Sequence, residues 1–181
     1  MKKKRVIKVV DVMDKLQKIA DFGKSAKEKQ KTINVNEVFY IWDILVTKLD
    51  ILQTIQLYEN FIDDYDLKLL NSKVKDGITN GIKHMEKLMT DYALPFPERP
   101  PSGIKTTVDL EQVTGKFIYQ GLHESIQAFF FILASGFMNS NTPEIRKAIK
   151  DHLFLTAELQ EVLVEYGKLK GYLNEPPLYR S

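Results

Sequence analysis

The stretch from Lys116 to Met138, KFIYQGLHESIQAFFFILASGFM, ends in the most apolar run of the chain and has to be hidden from water. A helix crossing a bilayer needs about 20 mostly apolar residues. Here the apolar part, Ala128 to Met138, has only 11, and His123, Glu124, Ser125 and Gln127 precede it. The run therefore belongs inside protein. Ile118, Leu122, Ser125, Phe129, Ile132 and Gly136 recur at spacings of four and three, one stripe along a helix. Tyr119, Ile126, Phe130, Leu133 and Phe137 form a second stripe beside it, which makes this the central helix of a bundle.

The rest of the chain supplies partners for that helix. Asn34 reads as an N-cap and Glu37 completes a capping box, so a helix starts there. Its seam is Val38, Trp42, Leu45, Leu49 and Leu52, flanked by Ile41, Ile44, Ile51, Ile55 and Tyr58. That is more apolar surface than one seam needs: either the helix is central or its outer face meets another subunit, and a homodimer is expected. The acidic segment FIDDYD at 61–66 allows only a tight connection, so the next helix, about Asp66 to Tyr92, runs antiparallel. It turns Leu67, Leu70, Val74, Ile78, Ile82, Met85, Leu88 and Met89 inward, with Gly77 and Gly81 marking a close helix approach.

Four prolines in LPFPERPPSG at 94–103 end that helix, and the chain to about Thr107 reads as a long connection able to run end to end. The central helix is expected from near Asp109. SNT at 140–142 separates it from a last helix with Thr142 as N-cap, Pro143 in the first turn, and a seam of Ile145, Ile149, His152, Thr156, Leu159, Leu163 and Tyr166 ending at Gly171.

Composition matters at one place. Residues 1–32 hold eleven Lys and Arg against four Asp and Glu, +7, which leaves −5 for residues 33–181. Val9, Met13, Leu16 and Ile19 give this segment a short apolar face, Gly23 stops its helix, and SAKEKQKT at 25–32 reads as a linker. The helix is expected to lie on the bundle or on a dimer mate; attachment of residues 1–24 to an anionic membrane surface is the other reading, and nucleic acid is not an expected partner. The chain thus divides into a basic helix with its linker, 1–32, and a bundle, 33–181. Without a continuous apolar signal core near residue 1, a cytoplasmic protein is expected. The absence of cysteine excludes disulfides and thiolate metal sites.

Two helices, a long crossover and two more helices is the connectivity of ferritin-like proteins. The segment with His84, then ALPFPERPP, the glycine-bearing third helix and the closing KGYLNEPPLY resemble a ferritin-like bacterial family catalogued only as a domain of unknown function, to which spore-coat-like proteins are related. The resemblance spans about residues 34–178. It implies an all-α, ferritin-like antiparallel four-helix bundle, and a link to spores, but brings no activity or catalytic residues.

Di-iron bundles of this connectivity carry a Glu on each of two helices and Glu-x-x-His on the other two. This chain has no Glu-x-x-His: Gly81, Gln120 and Ile149 stand three residues before His84, His123 and His152. Helix registers nevertheless bring Asp43, His84 and His152 to one level, a candidate site for Zn, Mn or Fe, with Asp50, His123, Glu124 and Glu158 in a second layer. The competing reading, and the favoured one, makes the histidines satisfied core residues and leaves the carboxylates in water, with no cofactor. Phe129, Phe130 and Phe131 are candidate walls of an apolar ligand cavity, or plain core. The functional expectation is a structural or interaction protein without enzymatic activity; the alternative is a metal- or small-ligand-binding bundle with residual redox chemistry.

Overall fold

A computed structural model describes residues 12, 13, 15–17, 19–107 and 111–179. Residues 12–20, where described, are helical. They are followed by a short α1 (Ala26–Gln30) and four long helices: α2 (Val35–Tyr58), α3 (Tyr65–Asp91), α4 (Gly115–Asn139) and α5 (Pro143–Lys170). Among the described residues there is no strand, so the fold is all-α.

The helix starts follow local chemistry. Asn34 and Glu37 form the expected capping box of α2, and Asp64 caps α3 by accepting from the Leu67 N–H. The segment expected as a linker contains α1 instead. Its Ser25 and Glu28 make a capping box of the S-x-x-E form. Asp109, near which the central helix is expected to start, lies outside the described residues; α4 begins at Gly115, where the Thr114 side chain accepts from the Phe117 N–H. At the other end of the chain Gly171 closes α5 with φ 66°, a left-handed conformation that glycine adopts without strain.

Each long helix packs mainly on two others: α2 on α3 and α4, and α5 on α4 and α3. Neighbours run antiparallel. Lys48 meets Gly81 where Glu59 pairs with Lys75, and His84 meets His152 where Gly77 meets Leu159. Since α3 and α4 both oppose α2, they run the same way, and the segment between them must travel a helix length. It does so along α2: Phe96, Pro97 and Arg99 border Leu45 and Leu49, and further on Asn60 Nδ2 donates to the Ile104 carbonyl at 2.9 Å.

The core is one cluster drawn from all four long helices. Every residue expected to face inward on α3 is buried, as are Ile145, Ile149, His152, Thr156, Leu159 and Leu163 on α5. On α2 the expected seam holds in part. Leu45 and Leu49 are buried and Val38 and Leu52 half-buried, but the flanking Ile41, Ile44, Ile51 and Ile55 lie in the core as well, while Trp42 is 41% exposed. The N-terminal apolar face does not dock on the chain's own core either: Met13, Leu16 and Ile19 are exposed, and Val9 lies outside the described residues.

Candidate functional site

At mid-height of the core stands a lysine. Ile41, Ile44, Lys48, Ile51 and Ile55 share one stripe of α2 at spacings of three and four, so the helix itself carries Lys48 inward, and the residue is 1% exposed. Gly81 on α3 makes room for it, since a Cβ built there would lie 2.6 Å from Lys48 Nζ. The ammonium sits over the Phe129 ring of α4, 4.6 Å from its centroid, a cation–π contact. Among the described residues no carboxylate pairs with it, and burial lowers its pKa to about 8.

His152 of α5 completes the layer. It is 3% exposed, and its buried Nε2 has no hydrogen-bond partner among the described residues. Burial first, then the charges of Lys48 and His84, lowers its pKa to about 3, so the ring is neutral at ordinary pH. Its ring centroid lies 5.0 Å from that of His84. His84 is exposed and lines an open cleft of about 230 Å³ with Leu88, Glu144 and Asp151. A cleft, an exposed imidazole, a buried imidazole and a buried amine therefore follow one another from surface to core.

The expected pairing of His84 with His152 is thus seen, but Asp43 does not complete it. Among the described residues no three His, Asp or Glu side chains come together to hold a metal ion. Asp43 is half-buried on α2, and burial alone raises its pKa. The second expected layer comes apart for the same angular reason, with Asp50, Glu124 and Glu158 exposed. His123 instead lies 2.9 Å from Gln160 Nε2 and stacks on Tyr119, with ring centroids 5.6 Å apart. Of the three phenylalanines, Phe129 is core beneath Lys48 and Phe131 is 77% exposed, so they do not wall one cavity.

Sequence reasoning missed Lys48, although a signal was present. It lies four residues after Ile44 and three before Ile51, a core position of the apolar period.

No sequence-family model matches the chain, and no curated protein does. In fold it is similar to a crystal structure described as a "putative spore coat protein" from Bacillus halodurans C-125, with a TM-score of 0.74 over 82% of this chain and 96% of that one at 17% identity. At that identity the likeness concerns the fold.

Proposed function

We propose that the chain is a ferritin-like four-helix bundle of the spore-coat-like kind and that it works as a structural or interaction protein rather than as a metal-dependent oxidase. The carrying observation is Lys48. A di-metal bundle of this connectivity needs carboxylates at the level of its two histidines, one from each helix. At that level this chain presents Lys48 on α2, Phe129 on α4, Gly81 three residues before His84, and Ile149 three residues before His152. A buried ammonium repels a second cation, and the donor set lacks the hard oxygens that would neutralise one. These residues do not fit a di-metal centre. Apolar side chains on the outside of α2, Val35, Phe39 and Trp42, support an interaction role, and the description of the Bacillus halodurans protein as a "putative spore coat protein" agrees with it.

Metal analysis of protein purified without chelator tests this, with substoichiometric transition metal as the expected result. One Zn, Mn or Fe per chain that is lost in His84→Ala or His152→Ala would establish the second reading, a metal- or small-ligand-binding bundle. The observation that favours that second reading is the unpartnered Nε2 of His152.

A further inference from the structure

Two apolar stripes lie uncovered, and they are complementary. On α2, Val35, Phe39, Trp42 and Val46 stand at i, i+4, i+7 and i+11; the first three are 79, 53 and 41% exposed. On the N-terminal helix Val12, Leu16 and Ile19 stand at i, i+4 and i+7, with Met13 beside them; they are 52, 53, 71 and 49% exposed. Such spacing draws a continuous strip along each helix, the form in which one amphipathic helix receives another.

Charge matches as well. The only charged side chains of α2 that are not buried are Asp43 and Asp50, four residues after Phe39 and Val46, so both border its apolar strip. The N-terminal strip is bordered by Lys15, four residues before Ile19, in a segment of charge +7. Acid beside apolar meets base beside apolar.

The chain does not close this pair on itself. The end of α1 touches the end of α3: Gln30 Nε2 donates to the Ala93 carbonyl at 3.0 Å, and Lys29 Nζ lies 5.8 Å from the Tyr92 ring centroid. Both strips nevertheless remain open.

We infer that the chain forms a two-fold dimer by exchange, in which the N-terminal helix of each copy lies on the outer strip of α2 of the other. A two-fold arrangement satisfies both strips of both copies with one kind of contact. This rests on the interaction role proposed above and names its surface and partner, a second copy of the chain.

The sole tryptophan, Trp42, lies in the receiving strip and reports on it directly. Light scattering on the full chain should give twice 20.9 kDa, and Trp42 emission should move to the red as dilution releases the partner helix. Leu16→Glu should raise the dissociation constant at least a hundredfold and leave Trp42 emission red-shifted. Phe39→Glu should do the same to the mass. Circular dichroism checks that each variant is folded, and Leu16 lies outside the core, so that variant stands if Phe39→Glu unfolds. Mixing the two variants should restore part of the dimer, because one of the two contacts in the mixed pair is intact. A dimer unaffected by Leu16→Glu overturns the exchange while leaving self-association in place. A full chain that stays at 20.9 kDa overturns both, and if such a monomer binds phosphatidylserine vesicles through residues 1–24 the segment is a membrane anchor.

Discussion

One oxygen of Glu37 holds the start of a helix more than a hundred residues away: its Oε1 accepts from the backbone N–H of Thr142 at 2.6 Å and from that of Asn141 at 2.8 Å. The other oxygen accepts from the Asn34 N–H at 2.9 Å and the Thr142 hydroxyl at 3.1 Å. A single carboxylate, 1% exposed, thus serves the N-termini of both α2 and α5, the second of which has no side-chain cap of its own. Both helix dipoles favour negative charge there.

Glu37→Ala should therefore cost more than an ordinary cap, about 3 kcal/mol where one cap costs ~1. Glu37→Gln should recover little, because an amide nitrogen would face N–H donors in place of one oxygen. Urea unfolding of the three proteins checks both. A loss below 1 kcal/mol in Glu37→Ala would show that water replaces the carboxylate freely.

The local half of this arrangement was legible in the sequence, the distant half was not. Asn34 and Glu37 are three residues apart and announce a capping box; nothing in the order of residues tells that the same Glu also reaches α5. The same contrast runs through the fold. On α3 and α5 apolar and polar residues alternate cleanly around the helix, so the period gives the buried face as well as the helix. On α2 apolar residues occur all round, which gives the period without the phase, and Trp42 and Ile41 exchange places. At the candidate site, counting residues from the two turns brought His84 level with His152, because axial rise is regular. Asp43 failed because level is not direction: it points away from the stripe that carries Lys48 inward.

The fit of Lys48 against Gly81 predicts a sign change. Glycine within a helix costs about 1 kcal/mol relative to alanine. With Lys48 present, Gly81→Ala should nevertheless destabilise the protein, by about 1–2 kcal/mol, since the new methyl displaces the end of the buried Lys48 side chain from its place over Phe129. In a Lys48→Leu background the same substitution should stabilise. Thermal unfolding of the four proteins of this double-mutant cycle measures the coupling. Equal effects of Gly81→Ala in both backgrounds would mean that Lys48 moves aside at no cost.

His152 should make the protein sensitive to acid. Its folded pKa of about 3 lies below the ordinary 6.5, so the unfolded chain takes up a proton first as the pH falls. The stability this neutral ring contributes is complete above pH 6.5 and drains away towards pH 3, at up to about 1.4 kcal/mol per pH unit. His152→Leu removes that slope. Urea midpoints of variant and parent should converge, or cross in favour of the variant, between pH 6.5 and 4. A direct check is the His152 Cε1 proton, which should show no titration shift in the folded protein above pH 5.

Lys48 works in the opposite range of pH. Its folded pKa of about 8 lies below the ordinary 10.5, so the folded protein releases this proton before the unfolded chain does. Stability should therefore rise with pH between 8 and 10.5, where the unfolded state binds more protons. Below pH 8 both states carry the charge, and the folded state bears the whole cost of burying it, on the order of 3 kcal/mol by the size of the shift. Phe129 offsets part of that cost through its ring face. Lys48→Met keeps the length and apolar stem of the side chain and discards the charge, a change that commonly stabilises a core in which a buried ion has no partner. The variant should be more stable than the parent by about 2 kcal/mol at pH 7, and the gap should close as the pH approaches 10.5. Comparing the two proteins at each pH cancels the titration of the tyrosines and of the other lysines. A gap that stays constant from pH 7 to 10.5 would show that Lys48 keeps its ordinary basicity through contact with water, and a variant less stable at pH 7 would show that the ammonium over Phe129 holds the core together rather than straining it.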